Sequence, residues 1–260
     1  MPLRHASRAD LESLLRTRQL DRTLTTSLPP LDPHDEYAIG STGVTALGAA
    51  IGGGFPRGQL SEIVGARSSG RASVMMQMLA AATSRGELAA LVDVLDMLDV
   101  ASAASAGVEL SRLLWIRGHV TPHPGLCVDM NQRAMEQAIR ALTLVLQSGT
   151  MGLVVFDAGE APQQALRRLP FTTWLRLQRM IEASETICVL VGREPMARSS
   201  AGLTLQLGRV GQVGQVGRAG IKFSAQLFDG LECSARVLRA RARNREEASV
   251  TFSTLARDDD

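Results

Sequence analysis

The stretch that most constrains this chain is Gly65-Ala66-Arg67-Ser68-Ser69-Gly70-Arg71-Ala72-Ser73, which follows the apolar run from Leu60 to Val64 and opens a helical pattern. A strand, a glycine-rich turn and a helix N-terminus in that order form an anion cradle, because backbone N–H groups converge on one point there. The pattern G-x-x-x-x-G-K-[ST] adds a lysine for the outer phosphates and a hydroxyl for magnesium. Gly65 and Gly70 keep the glycine spacing, and Ser68 and Ser69 are small enough for close backbone approach. The lysine position holds Arg71, a planar fork that keeps the charge and loses the compact donor. The hydroxyl position holds Ala72, and Ser73 lies one residue on, about 100° round the helix. The reading is a phosphate loop with its cradle kept and its direct metal ligand gone.

Composition sets the frame. A chain of 260 residues with 45% hydrophobic and 21% charged content can bury one large core. It has neither a long uncharged apolar stretch for a membrane span nor the apolar core of a signal peptide, so a cytoplasmic protein is expected. Cys127, Cys188 and Cys233 are widely spaced, without a metal or redox pattern, and read as buried thiols. His119 and His123 are interrupted by Pro122, so no metal site is expected from them.

Three segments follow. Residues 1–36 read as a short helix and a proline-containing linker, 37–256 as the core and 257–260 as an acidic tail. Leu11, Leu14 and Leu15 give the N-terminal helix an apolar stripe. A helix this short does not hold itself together, so the stripe packs on its own core, a second copy or a partner. In the core, the patterns predict strands over 59–64, 88–94, 113–116, 152–157 and 186–191. Helices are predicted over 70–84, 97–106, 129–147 and 172–183. That alternation predicts an α/β fold with a mostly parallel sheet and helices on both faces.

These residues resemble the bacterial recombinase RecA and its paralogues over roughly 40–255. The likeness is carried by Ser41-Thr42-Gly43-Val44 with Leu47 and Gly48, by the run from Gly53 to Gly65, and by the run from Ala106 to Leu114. The resemblance implies a RecA-like core with late antiparallel strands. It also implies a nucleotide, ATP or ADP, held weakly or not at all by Gly65, Ala66, Arg67, Ser68, Ser69, Gly70, Arg71 and Ala72, with Asp157 at the end of a neighbouring strand. The family's catalytic glutamate falls on Leu95, with Asp96 beside it, and its phosphate-sensing glutamine falls at Arg193. A nucleotide fold without catalysis is therefore expected ahead of an active DNA-dependent ATPase.

Within that superfamily the chain resembles the ImuA group, through the run from Leu190 to Arg198, the run from Gly202 to Leu207 and the arginine-rich run from Glu232 to Arg241. This implies a non-recombinase accessory protein of damage-induced, error-prone translesion synthesis. Its partners would be a Y-family polymerase-like subunit and an error-prone replicative-type polymerase, with RecA and single-stranded or primed DNA as further candidates. A regulator of cell division stays open as an alternative.

Charge distribution bears on the partners. Between Arg193 and Arg245 ten basic residues face three acids, and Arg193, Arg198, Arg236, Arg239, Arg241 and Arg243 are the candidate contacts to DNA or a partner. Such a row can neutralise phosphates, meet an acidic protein or simply protect an edge strand. The tandem Val-Gly-Gln repeat from Val210 to Arg218 reads as a loop between two late strands.

Overall fold

The computed structural model describes residues 39–122, 128–182, 184–197, 201–209, 230–240 and 249–255. A two-stranded antiparallel ribbon, β1 (Ile39–Gly40) with β2 (Phe55–Pro56), brackets the short helix α1 (Thr45–Ala50). The strand β3 (Leu60–Gly65) then enters the main sheet, followed by α2 (Arg71–Ser84), β4 (Ala89–Asp93), α3 (Val100–Ser105) and β5 (Leu113–Arg117). After these come α4 (Val128–Ser148), β6 (Leu153–Asp157), α5 (Gln163–Arg167), α6 (Phe171–Ile181) and β7 (Ile187–Gly192). The late strands are β8 (Leu203–Arg209), β9 (Gly230–Ala240) and β10 (Ser249–Leu255).

The eight strands of the main sheet run in the order β10-β9-β8-β3-β7-β6-β4-β5. Every pair from β8 to β5 is parallel, whereas β8–β9 and β9–β10 are antiparallel. The predicted α/β class, mostly parallel sheet and late antiparallel strands are therefore as expected. Strands buried on both faces read as unbroken apolar runs, and β3, β4 and β7 are buried at every position. On one face Val74, Met78 and Leu79 of α2 and Ala103 of α3 pack against Ile63, Leu91, Val155 and Val189. On the other, Met135 and Leu142 of α4 and Trp174 and Leu177 of α6 pack against Val92, Phe156 and Leu190. Phe156 meets Trp174 edge-on at 6.4 Å and 71°.

Two details differ from the periodicity. The helix expected over 97–106 starts only at Val100, because Asp99 caps it by accepting from the backbone N–H groups of Ala101 and Ser102. In β9 the register jumps from Leu205 opposite Val237 to Thr204 opposite Arg239, so Leu238 is an extra residue. The bulge puts Arg236, opposite Gln206, and Arg239, opposite Thr204, on the same face of the sheet. Strict alternation would have separated them.

Candidate functional site

Parallel α/β sheets bind ligands beyond the C-terminal ends of their strands. Here those ends carry Gly65, Asp93, Asp157 and Gly192. A cavity of about 500 Å³ lies there, lined by all residues from Arg67 to Ser73 together with Asp93, Leu95, Asp157, Glu160 and Arg209. The loop curls because Ser68 (φ 59°) and Gly70 (φ 90°) adopt the left-handed conformation. Gly65 is required by close approach: a Cβ there would stand 2.5 Å from the Leu207 carbonyl oxygen and 2.5 Å from Ser69 Oγ. The first turn of α2 has no side-chain cap, so its N–H groups remain for an anion. The buried Ser69 Oγ also has no hydrogen-bond partner.

Arg71 is 7% exposed. Its Nη2 donates to Glu160 Oε1 at 2.9 Å, while its Nη1 is buried without a partner. Gly159 makes the room, since a Cβ there would stand 2.6 Å from Arg71 Nη1. The other oxygen of Glu160 accepts from Arg193 Nη2. One carboxylate thus ties Arg71, at the lysine position of the loop pattern, to Arg193, where the resemblance puts a phosphate-sensing residue. Burial works to raise the Glu160 carboxyl, but the hydrogen bond from Arg193 and the charges of Arg193, Arg71 and Arg67 outweigh it and hold it below the ordinary value. Glu160 carried no signal beyond lying three residues after Asp157, and the sequence reading missed it.

Asp157 stands opposite Asp93 on the neighbouring strand and accepts from the Gly159 N–H at 2.9 Å. Burial, with Asp93 adding to it, pushes its carboxyl above the ordinary value of 3.8. The folded state therefore holds that proton more tightly than the unfolded chain, and stability falls as pH rises from about 3.8 through the raised value. Asp157→Asn keeps the acceptor for Gly159 and removes the buried charge. It should raise the melting temperature by a few degrees at pH 7, and the gain should shrink toward pH 4 in melts recorded across that range.

Leu95, the position on which the resemblance puts the family's glutamate, lines the cavity. Asp96 is bound by both Nε and Nη2 of Arg117, each at 2.6 Å, and is not among the lining residues. Asp93 faces the cavity, but its Oδ2 accepts from the Leu98 N–H and from Trp115 Nε1.

The donor set does not fit a protein-held divalent cation. Ala72 has no side-chain oxygen where the loop pattern places a hydroxyl, one oxygen each of Asp157 and Asp93 already accepts from N–H donors, and Arg67, Arg71 and Arg209 bring positive charge to a wall otherwise largely apolar, with Leu91, Leu95, Met97 and Leu98. Among the described residues no three His, Cys, Asp or Glu side chains converge.

Of the candidate contact residues, Arg193 is drawn to Glu160 at the cavity, whereas Arg236 and Arg239 are exposed on the open face of β9. Arg198, Arg241 and Arg243, the helix of Leu11, Leu14 and Leu15, the Val-Gly-Gln repeat and the acidic tail lie outside the described residues.

Glu62 was also passed over. Fully buried in β3, it accepts from the backbone N–H groups of Met196 and Ala197, both at 2.7 Å through Oε1, and from Thr204 Oγ1 at 3.0 Å through Oε2. The only sequence signal was an acid inside an apolar run.

Comparison with known proteins places this arrangement. Residues 27–165 match the RecA N-terminal domain. The chain is 32% identical over 168 residues to protein RecA of Chlorobaculum parvum, covering 59% of this chain and 44% of that protein. It is 29% identical over 222 residues to protein RecA of Chlorobium chlorochromatii, covering 77% and 58%. The chain thus spans about half the length of these curated relatives. The crystal structure of the RadB recombinase superposes with a TM-score of 0.57 at 18% identity, over 84% of this chain and 96% of that one, a likeness of fold.

Proposed function

This chain belongs to the RecA family, and from that premise we propose that it is a non-recombinase accessory member that binds ATP or ADP without hydrolysing it. The observation that carries the proposal is the cavity wall at Leu95. An aliphatic side chain cannot take a proton from an attacking water, and general-base help accounts for about 10²–10⁴-fold in rate. Asp96 offers no substitute while Arg117 holds both its oxygens. What supports binding is the uncapped helix N-terminus, the unpartnered Ser69 Oγ and Arg71 Nη1, and the glycines at 65 and 70.

The cellular role we propose is that implied by the resemblance to the ImuA group. The protein acts in damage-induced, error-prone translesion synthesis, bridging a Y-family polymerase-like subunit and a replicative-type polymerase on DNA or a RecA filament. Arg236 and Arg239, exposed on one face of β9, are among the contacts proposed for an acidic partner or a phosphate backbone.

The test pairs a thermal-shift titration with ATP and a phosphate-release assay, with and without single-stranded DNA. Ligand at 100 times its dissociation constant adds about 2.7 kcal/mol, which at roughly 2–4 °C per kcal/mol gives a rise of about 5–10 °C. The expected result is that rise without phosphate release. DNA-stimulated release would overturn the proposal in favour of an active ATPase. Failure to co-purify the polymerase-like subunit would sink the translesion role.

A further inference from the structure

We propose that this cavity takes a nucleoside di- or triphosphate as the metal-free polyanion, with guanidinium groups supplying the positive charge that a divalent cation would bring. The inference rests on the nucleotide reading above and deepens it. Removing the metal's hydroxyl ligand while keeping a phosphate cradle leaves a charge problem, because a bound triphosphate needs compensation in a partly buried site. Here the chain answers with arginine. Arg67 and Arg209 line the cavity, one from the loop and one from the end of β8. Both are exposed at its rim, and neither makes an ion pair with another described residue. Deeper in, Arg71 keeps one buried guanidinium nitrogen without a partner.

The geometry favours this over a site that has only lost function. A decayed phosphate loop has no reason to keep a 7% exposed arginine whose free nitrogen has no partner in the protein, since such a group costs stability until an acceptor reaches it. Arginine also suits the task better than lysine. Its fork grips two oxygens of one phosphate, and its charge does not titrate. A magnesium ion would compete with these groups for the same phosphate oxygens.

Glu160 completes the arrangement. It satisfies one nitrogen each of Arg71 and Arg193, so the two positive groups are kept in place by an internal carboxylate. A phosphate entering the cradle can draw on the same two arginines.

Calorimetric titration of the full chain with ATP in excess magnesium, and separately in EDTA, decides the matter, with the double variant Arg67→Ala/Arg209→Ala run beside the wild type. The expected result is affinity in EDTA at least equal to that in magnesium, together with a loss of about tenfold or more in the double variant. Both substituted side chains are exposed, so an unchanged far-UV spectrum should confirm that the variant folds. Binding in magnesium that vanishes in EDTA would overturn this inference and leave the nucleotide-binding proposal standing. Binding in EDTA that the double variant leaves untouched would overturn the role of these arginines. No binding in either buffer would remove the nucleotide reading itself, and this inference with it.

Discussion

Replacing Glu62 by leucine should lower the unfolding free energy by about 3 kcal/mol, or roughly 6–12 °C in melting temperature. The side chain is fully buried and accepts three hydrogen bonds, from the Met196 N–H, the Ala197 N–H and the Thr204 hydroxyl. Leucine fills a similar volume and removes the cost of burying a polar side chain, which works in the variant's favour. Against that, it leaves three buried donors without an acceptor, each costing about 1–3 kcal/mol, and this larger effect decides the sign. Thr204→Val removes only one donor and should cost about 1 kcal/mol. The damage should also be local. Met196 and Ala197 follow Arg193, the residue that reaches Glu160, so the amides of 196 and 197 should lose protection in native-state hydrogen exchange well before those of β3. Equal melting temperatures for Glu62→Leu and the wild type would show that relief from burying the acid offsets the three stranded donors, and would overturn the predicted sign.

Glu62 also marks where sequence reasoning stopped. The parallel sheet was legible because buried strands such as Ile187–Gly192 and Leu153–Asp157 are unbroken apolar runs, a signal contained within one short window. The glycine turn between β3 and α2 was legible for the same reason, since the positions that define it lie within nine residues. What escaped were pairings between residues far apart in the chain. Glu62 bonds to amides 134 and 135 positions away, and Arg71 bonds to Glu160 across 89. No local pattern reports such a partner. The short helix Gln163–Arg167 escaped because five residues are too few to show a helical period, and the bulge at Leu238 because alternation counts residues and cannot register an extra one. Arg193 shows how this affects a site. Charge along the chain groups it with the basic residues that follow, the resemblance puts it at the phosphate-sensing position, and the fold adds the partner that neither names, Glu160.

Arg71 offers the sharpest separation of binding from stability. Arg71→Ala should weaken ATP binding by about a hundredfold, the loss of one to two charge-assisted hydrogen bonds at about 1.5–3 kcal/mol each. The same substitution should move the melting temperature of the unliganded protein by no more than a few degrees. Breaking a buried ion pair is usually costly because it strands the remaining charge. Here Glu160 keeps Arg193 and is itself 20% exposed, so its carboxylate is not stranded. The unpartnered Nη1 disappears with the side chain, which removes a cost that the native protein carries. Arg71→Lys sharpens the test. A lysine keeps the charge but cannot bond Glu160 and a phosphate oxygen through one planar fork, so it should recover only part of the lost affinity. Full recovery by lysine would mean that charge alone matters at this position. Unchanged affinity in Arg71→Ala would place the phosphates elsewhere and overturn the assignment of the cradle. A large fall in melting temperature without ligand would instead make Arg71 a structural residue, whose burial serves the packing of α2 against the loop after β6.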